Sequence, residues 1–302
     1  MNGILIIDKP KDYTSFDVIA VVRGCLHERR AGHTGTLDPM ATGVLPVLLG
    51  NATKAQSLLP DTDKEYEAGF RLGISTDTLD ITGKILSQTE CDIDASQIEE
   101  LLPQFRGDIM QLPPMYSAVM KNGVRLYELA RKGIEAEREP RQVHVSILEL
   151  LSFDRENQCG RLRIACSKGT YIRTICDDIG KLLGCGCVMT ELRRTKACGY
   201  DLSLAVTLAR IRALADEKFD FQSILFPTES IFSDYRELFI SEKQTFRFCN
   251  GGELDFLRIK GFEPKEDKEL LRIYSNKTIF LGLGESDNEK HIVRVKKLFP
   301  ER

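Results

Sequence analysis

One stretch of this chain has the makings of a reactive site. From Gly32 to Gly43 it reads GHTGTLDPMATG, with a single carboxylate, Asp38, near its centre. The glycines permit backbone angles and close approaches that other residues resist. Pro39 restricts Asp38 to extended geometry, so the loop fixes the carboxylate's direction before any ligand arrives. A lone aspartate presented this way suits a nucleophile or a general base. On spacing alone, a plain turn in which Asp38 bonds only to neighbouring amides competes with that reading. The stretch is not a phosphate-cradling loop, because no Gly-Lys-Ser/Thr follows it.

Metal chemistry finds little support. Nine cysteines are present, and their tightest group, Cys185-Gly-Cys187 with Cys198 downstream, lacks paired C-x-x-C spacing. Reduced, mostly buried thiols are expected, and no metal. The net charge of −3 is unevenly spread. Residues 61–110 hold 12 acidic and 4 basic side chains, whereas residues 161–196 hold 8 basic and 3 acidic. Nucleic acid senses the local patch, so the second stretch is either a basic groove or an ordinary solvated face. The opening MNGILIIDKPKD breaks its apolar run at Asp8, too early for a signal peptide or membrane span. A cytoplasmic protein without membrane contact is the expectation.

The elements that must position Asp38 can be read around it. Residues 3–7 (GILII) predict a short buried strand. Thr14 or Ser15 caps a helix to about Cys25, with Phe16, Ile19, Ala20, Val21 and Val22 as its apolar side. Val44 to Leu49 predicts a buried strand, with Pro46 marking an edge or an end, and Asn51 caps a second helix. Strands are expected over 65–86, 141–153, 161–167 and 187–200, and helices over 95–103, 124–132 and 207–218. Thr170 opens a helix whose Ile172, Ile175, Cys176, Ile179, Leu182 and Leu183 share one face, with Gly184 ending it. Composition shifts near Phe226-Pro227, and short strands at 277–282 and 291–295 predict a small β-rich unit. The fold class is α+β, divided into residues 1–233 and 234–302.

At this point a resemblance enters. GHTGTLDPMATGVLP (32–46) resembles the catalytic motif of the TruB family, bacterial synthases that make pseudouridine in the T-loop of tRNA. Similar signatures follow in order along nearly the whole chain. They are Asp8-Lys9-Pro10, GNATK (50–54), Lys64-Glu65-Tyr66 and LGISTDTLD (72–80). After these come QLPPMYSA (111–118), LYELAR (126–131), CSKGTYIRT (166–174) and LRRT (192–195). Two positions depart from the family's habit: Asp12 replaces a common glycine, and Met120 a common lysine.

The resemblance implies a pseudouridine synthase domain, with a mixed or antiparallel central sheet and flanking helices, followed by a PUA-like RNA-binding domain. It implies cofactor-free chemistry on tRNA, through the T-arm, by a monomer. No guide RNA is expected, since the chain has neither long lysine-rich tails nor a large insertion. Asp38 matches the catalytic carboxylate, which either attacks the ribose or assists removal of a sugar proton. Tyr66 matches a tyrosine that stacks on the base, and Arg173 an arginine that pairs with the aspartate. Taken alone, Tyr66 reads as strand packing, and Arg173 as a surface partner of Asp177. Tyr171 and Leu192 match the uracil pocket, His33 a histidine that enters the T-loop, and Asp80 a further substrate contact. Lys54, Arg193 and Arg194 are candidate phosphate contacts. A non-catalytic RNA-binding protein of the same shell is the alternative, although retention of Asp38, Tyr66 and Arg173 speaks against it.

Overall fold

The structure, a computed structural model, describes residues 1–60 and 63–299. In chain order, β1 (Gly3–Lys9), α1 (Ser15–Leu26), β2 (Ala31–His33), β3 (Thr42–Leu49) and β4 (Lys64–Leu72) surround the Asp38 loop. A hairpin of β5 (Ile74–Thr76) and β6 (Ile85–Gln88), then α2 (Ala95–Leu101) and β7 (Gly107–Gln111), come next. A second small hairpin, β8 (Met120–Lys121) and β9 (Val124–Arg125), leads into α3 (Leu126–Arg131). The long pair β10 (Arg141–Asp154) and β11 (Cys159–Cys166) precedes α4 (Ile172–Leu182) and β12 (Cys187–Ala197). After β13 (Tyr200–Asp201), β14 (Val206–Thr207) and α5 (Leu208–Asp216), the chain leaves the first sheet. A second sheet is built from β15 (Arg236–Ile240), β16 (Leu254–Asp255), β17 (Leu270–Ser275), β18 (Phe280–Asp287) and β19 (Ile292–Leu298), with α6 (Glu242–Cys249) packed on it.

The first sheet is mixed, in the order β14-β1-β3-β12-β4-β11-β10-β7. β12 runs parallel to β3 and β14 parallel to β1; the remaining pairs are antiparallel. Side chains alternate faces along a strand, and β1 buries both. Leu5 and Ile7, with Leu45, Val47 and Leu49 of β3, meet α1 and α5. Ile4 and Ile6, with Val44 and Leu48, face the other way, into a core shared with the second sheet. That is why GILII reads as an unbroken apolar run. In the shared core Phe232 packs on Phe299 with ring centroids 6.0 Å apart, and Tyr274, Phe280 and Leu283 complete it.

Several expectations are corrected. α1 does start at Thr14, whose side chain and Asp17 form a capping box. Its buried face, however, is Ser15, Val18, Ile19, Val22 and Leu26, while Phe16 is 74% exposed and Ala20 is exposed too. Pro46 is interior rather than at an edge. Its carbonyl accepts from the Thr34 N–H one step beyond the last β2–β3 pair, His33 with Val47, and because proline has no N–H to return the bond, the ladder with β2 stops there. Asn51 caps no α-helix; residues Gly50–Leu58 wind as a 3-10 helix. Leu182 lies off the buried face of α4, and Lys277 to Ile279 form a turn before β18. The basic stretch 161–196 is not an open groove either. Arg161 pairs with Glu67 and Glu191, Arg163 with Glu65 and Glu149, and Lys181 with Asp177. These charges offset carboxylates on β4, β10 and β12 and, for Lys181, on α4 itself.

The shared core generates a stability prediction. Phe232 is fully buried between the sheets, so Phe232→Ala should cost about 3–5 kcal/mol. Urea unfolding followed by far-UV circular dichroism measures this; a loss below about 1 kcal/mol would mean the two sheets do not share a packed core.

Candidate active site

The loop from Thr34 to Ala41 is pinned to the body by four side chains. Ser15 Oγ accepts from the Leu37 N–H (2.9 Å) and donates to the Leu37 carbonyl (3.3 Å). The Lys9 ammonium, fully buried, donates to the carbonyls of Pro10 (2.9 Å), Tyr13 (2.5 Å) and Pro39 (3.2 Å). Arg194 is 1% exposed and donates through Nε to Val44 (2.7 Å) and through Nη2 to Gly35 (3.2 Å), bridging both ends of the loop. The fourth is Arg173, which holds the functional group itself.

Arg173 Nη2 lies 3.0 Å from Asp38 Oδ2, and Nη1 lies 3.5 Å from Asp80 Oδ2. The same guanidinium donates to the carbonyls of Thr78 (2.9 Å) and Tyr116 (3.0 Å). Arg173 is 8% exposed, whereas the Asp38 side chain is 42% exposed. The cation is therefore structural on three sides and offers its fourth to a carboxylate open to solvent. Charge-assisted bonds of this kind fix direction as well as energy. Asp177, the competing partner on the same helix, is taken by Lys181 at 2.6 Å.

Leu37, Met40 and Ala41 flank Asp38 and pack in one apolar cluster with Tyr66, Ile172 and Leu192. Tyr66 stands opposite Arg194 across the β4–β12 pair. Burial pushes its hydroxyl above the usual tyrosine value, against the pull of the Arg194 charge. The free protein therefore presents a neutral phenol beside the carboxylate, not a phenolate. His33 is also neutral: burial and the Arg194 charge pull its imidazole down. Its Nδ1 is buried without a hydrogen-bond partner, and Phe16 sits against its ring in a T-shaped contact at 5.7 Å.

The remaining candidates fall in different places. Tyr171 begins α4, and Gln111, 3% exposed, bonds both its N–H (2.7 Å) and its carbonyl (3.1 Å). Asp80 stands behind Arg173 rather than at the surface. Its Oδ1 accepts from Thr78 Oγ1 (2.9 Å) and from the Thr82 N–H (3.0 Å), while Oδ2 faces Arg173. Arg193 faces out and pairs with Asp8 at 2.9 Å. Arg194, its neighbour on the strand, points inward and is no phosphate contact. Lys54 is exposed on the 3-10 helix. Asp12 adopts a left-handed φ of 66° and donates its N–H to Pro39 (2.8 Å), which replaces what a glycine would supply there. Met120 is 61% exposed, and the adjacent Lys121 bonds the Glu137 carbonyl at 2.6 Å.

Sequence reasoning missed Ser15 and Gln111 as positioning residues and misread Arg194. A signal for Arg194 existed: it lies two residues from Leu192 on one strand, hence on the same face. Among the described residues no group of His, Cys, Asp and Glu side chains has the arrangement to hold a metal, and no helix is long and apolar enough to cross a membrane.

Residues 23–172 match the profile of the TruB family pseudouridylate synthase N-terminal domain, and residues 173–233 that of a tRNA pseudouridylate synthase B C-terminal domain. The chain is 42% identical to tRNA pseudouridine synthase B of Stutzerimonas stutzeri, over 97% of this chain and 94% of that protein. The enzyme of the same name from Chromobacterium violaceum is 41% identical over 98% of this chain and 94% of its own length. Among solved structures, the Cbf5-Nop10-Gar1 complex contains a chain that matches with TM-score 0.75 and 26% identity, covering 99% of this chain and 85% of that one. An archaeal box H/ACA Nop10-Cbf5 complex matches with TM-score 0.73 and 26% identity, covering 100% and 87%.

Lys9 makes the site sensitive to pH. Burial pulls its ammonium down to about 8, partly offset by the field of Asp38. Below that pH three N–H groups meet three carbonyls; above it a neutral amine has only two. Turnover should therefore fall as pH rises through about 8, and Lys9→Met should be slow throughout and lack this alkaline limb. Stability moves the other way. The unfolded chain keeps the proton up to about 10.5, so between about 8 and 10.5 it binds more protons and unfolding free energy rises with pH. A pH–rate profile with parallel urea unfolding checks both signs; an unchanged alkaline limb in Lys9→Met would remove the assignment.

Proposed function

The chain belongs to the TruB family of pseudouridylate synthases, and from that premise we propose how its residues divide the work. The reaction is isomerisation of uridine to pseudouridine in tRNA. An N1–C1′ bond breaks, the uracil turns, and a C5–C1′ bond forms; one proton leaves C5 and one is gained at N1. The target is the uridine at position 55 in the T-loop. The nucleotide is extruded from the loop to reach the carboxylate, as enzymes acting on a base require.

Asp38 is the catalytic carboxylate, acting at the ribose of the extruded nucleotide. Arg173 holds Asp38 Oδ2, so Oδ1 is the oxygen free to act. Asp80 fixes Arg173 from behind. Tyr66 offers its ring to the uracil, and Leu192 and Tyr171 bound the same space. His33 occupies the room that the extruded base vacates. Arg193 and Lys54 contact phosphates, Arg193 by exchanging Asp8 for the polyanion. Residues 234–302 serve as a PUA-like RNA-binding domain beside the 1–233 catalytic domain. The enzyme works in the cytoplasm as a monomer, without guide RNA, metal or cofactor.

The observation that carries this reading is the Arg173–Asp38 pair on a loop with four anchors, in contact with the Tyr66–Leu192 cluster. The competing reading, an RNA-binding protein without catalysis, has no use for a half-exposed carboxylate whose direction is so fully determined.

The test is tritium release from C5 of uridine in an unmodified tRNA transcript, with no other RNA present. Asp38→Asn keeps size and polarity, so tRNA affinity and fold should hold. Turnover should drop by at least about a thousandfold, about 4 kcal/mol of transition-state stabilisation. Arg173→Lys should also slow turnover, because an ammonium cannot span the acceptors of a planar fork. An Asp38→Asn rate within tenfold of the parent would move the catalytic carboxylate elsewhere.

A further inference from the structure

Phe16 has no part in the core, yet it stands beside the catalytic loop. It follows Ser15 in the first turn of α1, and Ser15 holds both backbone groups of Leu37, next to Asp38. The helix buries Val18, Ile19, Val22 and Leu26 instead, leaving the Phe16 ring 74% exposed. Scattered exposed apolar residues are normal on protein surfaces, so exposure alone says little. Two further observations single this ring out. It meets His33 edge-on, with planes at 82°, and His33 carries a buried Nδ1 that no protein group satisfies. Its backbone is also rigidly held, because the Thr14–Asp17 capping box closes around it.

We propose that Phe16 is a stacking platform for an unpaired nucleobase of the RNA loop that carries the target uridine. It sets affinity for the substrate and takes no part in the chemistry. The proposal rests on the reading of the chain as a tRNA pseudouridine synthase. Protein recognition of RNA loops works on bases splayed out and stacked on aromatic side chains. A phenyl ring on a rigid helix does this at little entropic cost, and every base has a π-face to offer. At 74% exposure the Phe16 ring is open to solvent, while the neutral imidazole beside it adds no charge that would favour phosphate over base. The Leu37 anchor places that open face within the footprint of any loop delivering a nucleotide to Asp38.

The sequence supplies its own probe, because the chain contains no tryptophan. Phe16→Trp gives a protein with a single indole at the proposed platform. Titration with unmodified tRNA transcript should quench its emission, saturating near the KM for pseudouridine formation. Phe16→Ala and Phe16→Leu should raise KM about tenfold or more with kcat nearly unchanged, since base–aromatic stacking is worth about 1–3 kcal/mol. Phe16→Tyr should restore the parent KM, which a purely apolar contact would not require. Unchanged KM in the alanine and leucine variants, or a loss confined to kcat, would overturn the proposal, as would an indole indifferent to tRNA. Failure of the parent to release tritium would instead fail the enzymatic reading. Activity in the parent with unaltered KM in the variants would fail only the platform.

Discussion

A buried guanidinium must be given acceptors, and Arg194 takes them from both ends of the loop that carries Asp38. Its bonds to Gly35 and Val44 close the loop around a charge that has no access to water. The arrangement dictates nearby sequence. Gly43 adopts a φ of 103°, and a Cβ there would meet the Arg194 carbonyl oxygen at 2.2 Å. The parallel pairing of β3 with β12, Thr42 with Arg193 and Gly43 with Arg194, is possible only with that close approach. The field of Arg194 also reaches Tyr66 and His33, lowering the proton affinity of each against or alongside the effect of burial. Removing one partner from a buried charge costs several kcal/mol, so the loop, the strand junction and the aromatic wall stand or fall together.

Arg173 solves a different problem. It faces two carboxylates, Asp38 and Asp80, and divides its fork between them. Asp80 is buried and already accepts from Thr78 and Thr82, which leaves the exposed Asp38 as the one able to reach a ligand. The carbonyls of Thr78 and Tyr116 bring two distant chain segments to the same guanidinium. The segments 72–80, 111–118 and 166–174 are thus parts of one device rather than separate motifs.

Much of this was legible in the sequence, and the exceptions share a cause. The glycine-rich loop announced itself because Pro39 and the glycines are local constraints. The strand pairs and α4 were visible through periodicity. What periodicity cannot give is which neighbour fills each face. Phe16 looked like a core residue of α1 because it is aromatic, but the core beneath that helix is filled by Val18 and Val22. Pro46 looked like an edge because the strands on both sides of it could not be foreseen. The run of cations over 161–196 looked like a groove because their partners, Glu65 and Glu67, lie nearly a hundred residues upstream on β4. Ser15 and Gln111 were invisible as anchors for the same reason: their bonds run to backbone atoms, which no side-chain pattern encodes.

The core between the two sheets joins Ile4 and Ile6 of β1 to Phe299, which follows β19. Contacts of such sequence separation are among the slowest to close. On the ribosome, where chains emerge at roughly 5–20 residues per second, this cluster stays open until almost the last strand has appeared. The strands it completes, β1 and β3, are the ones that lead into and out of the catalytic loop region. Synthesis therefore sets an order: the face of β1 and β3 that carries Ile4, Ile6, Val44 and Leu48 waits for Phe299 before its core is filled.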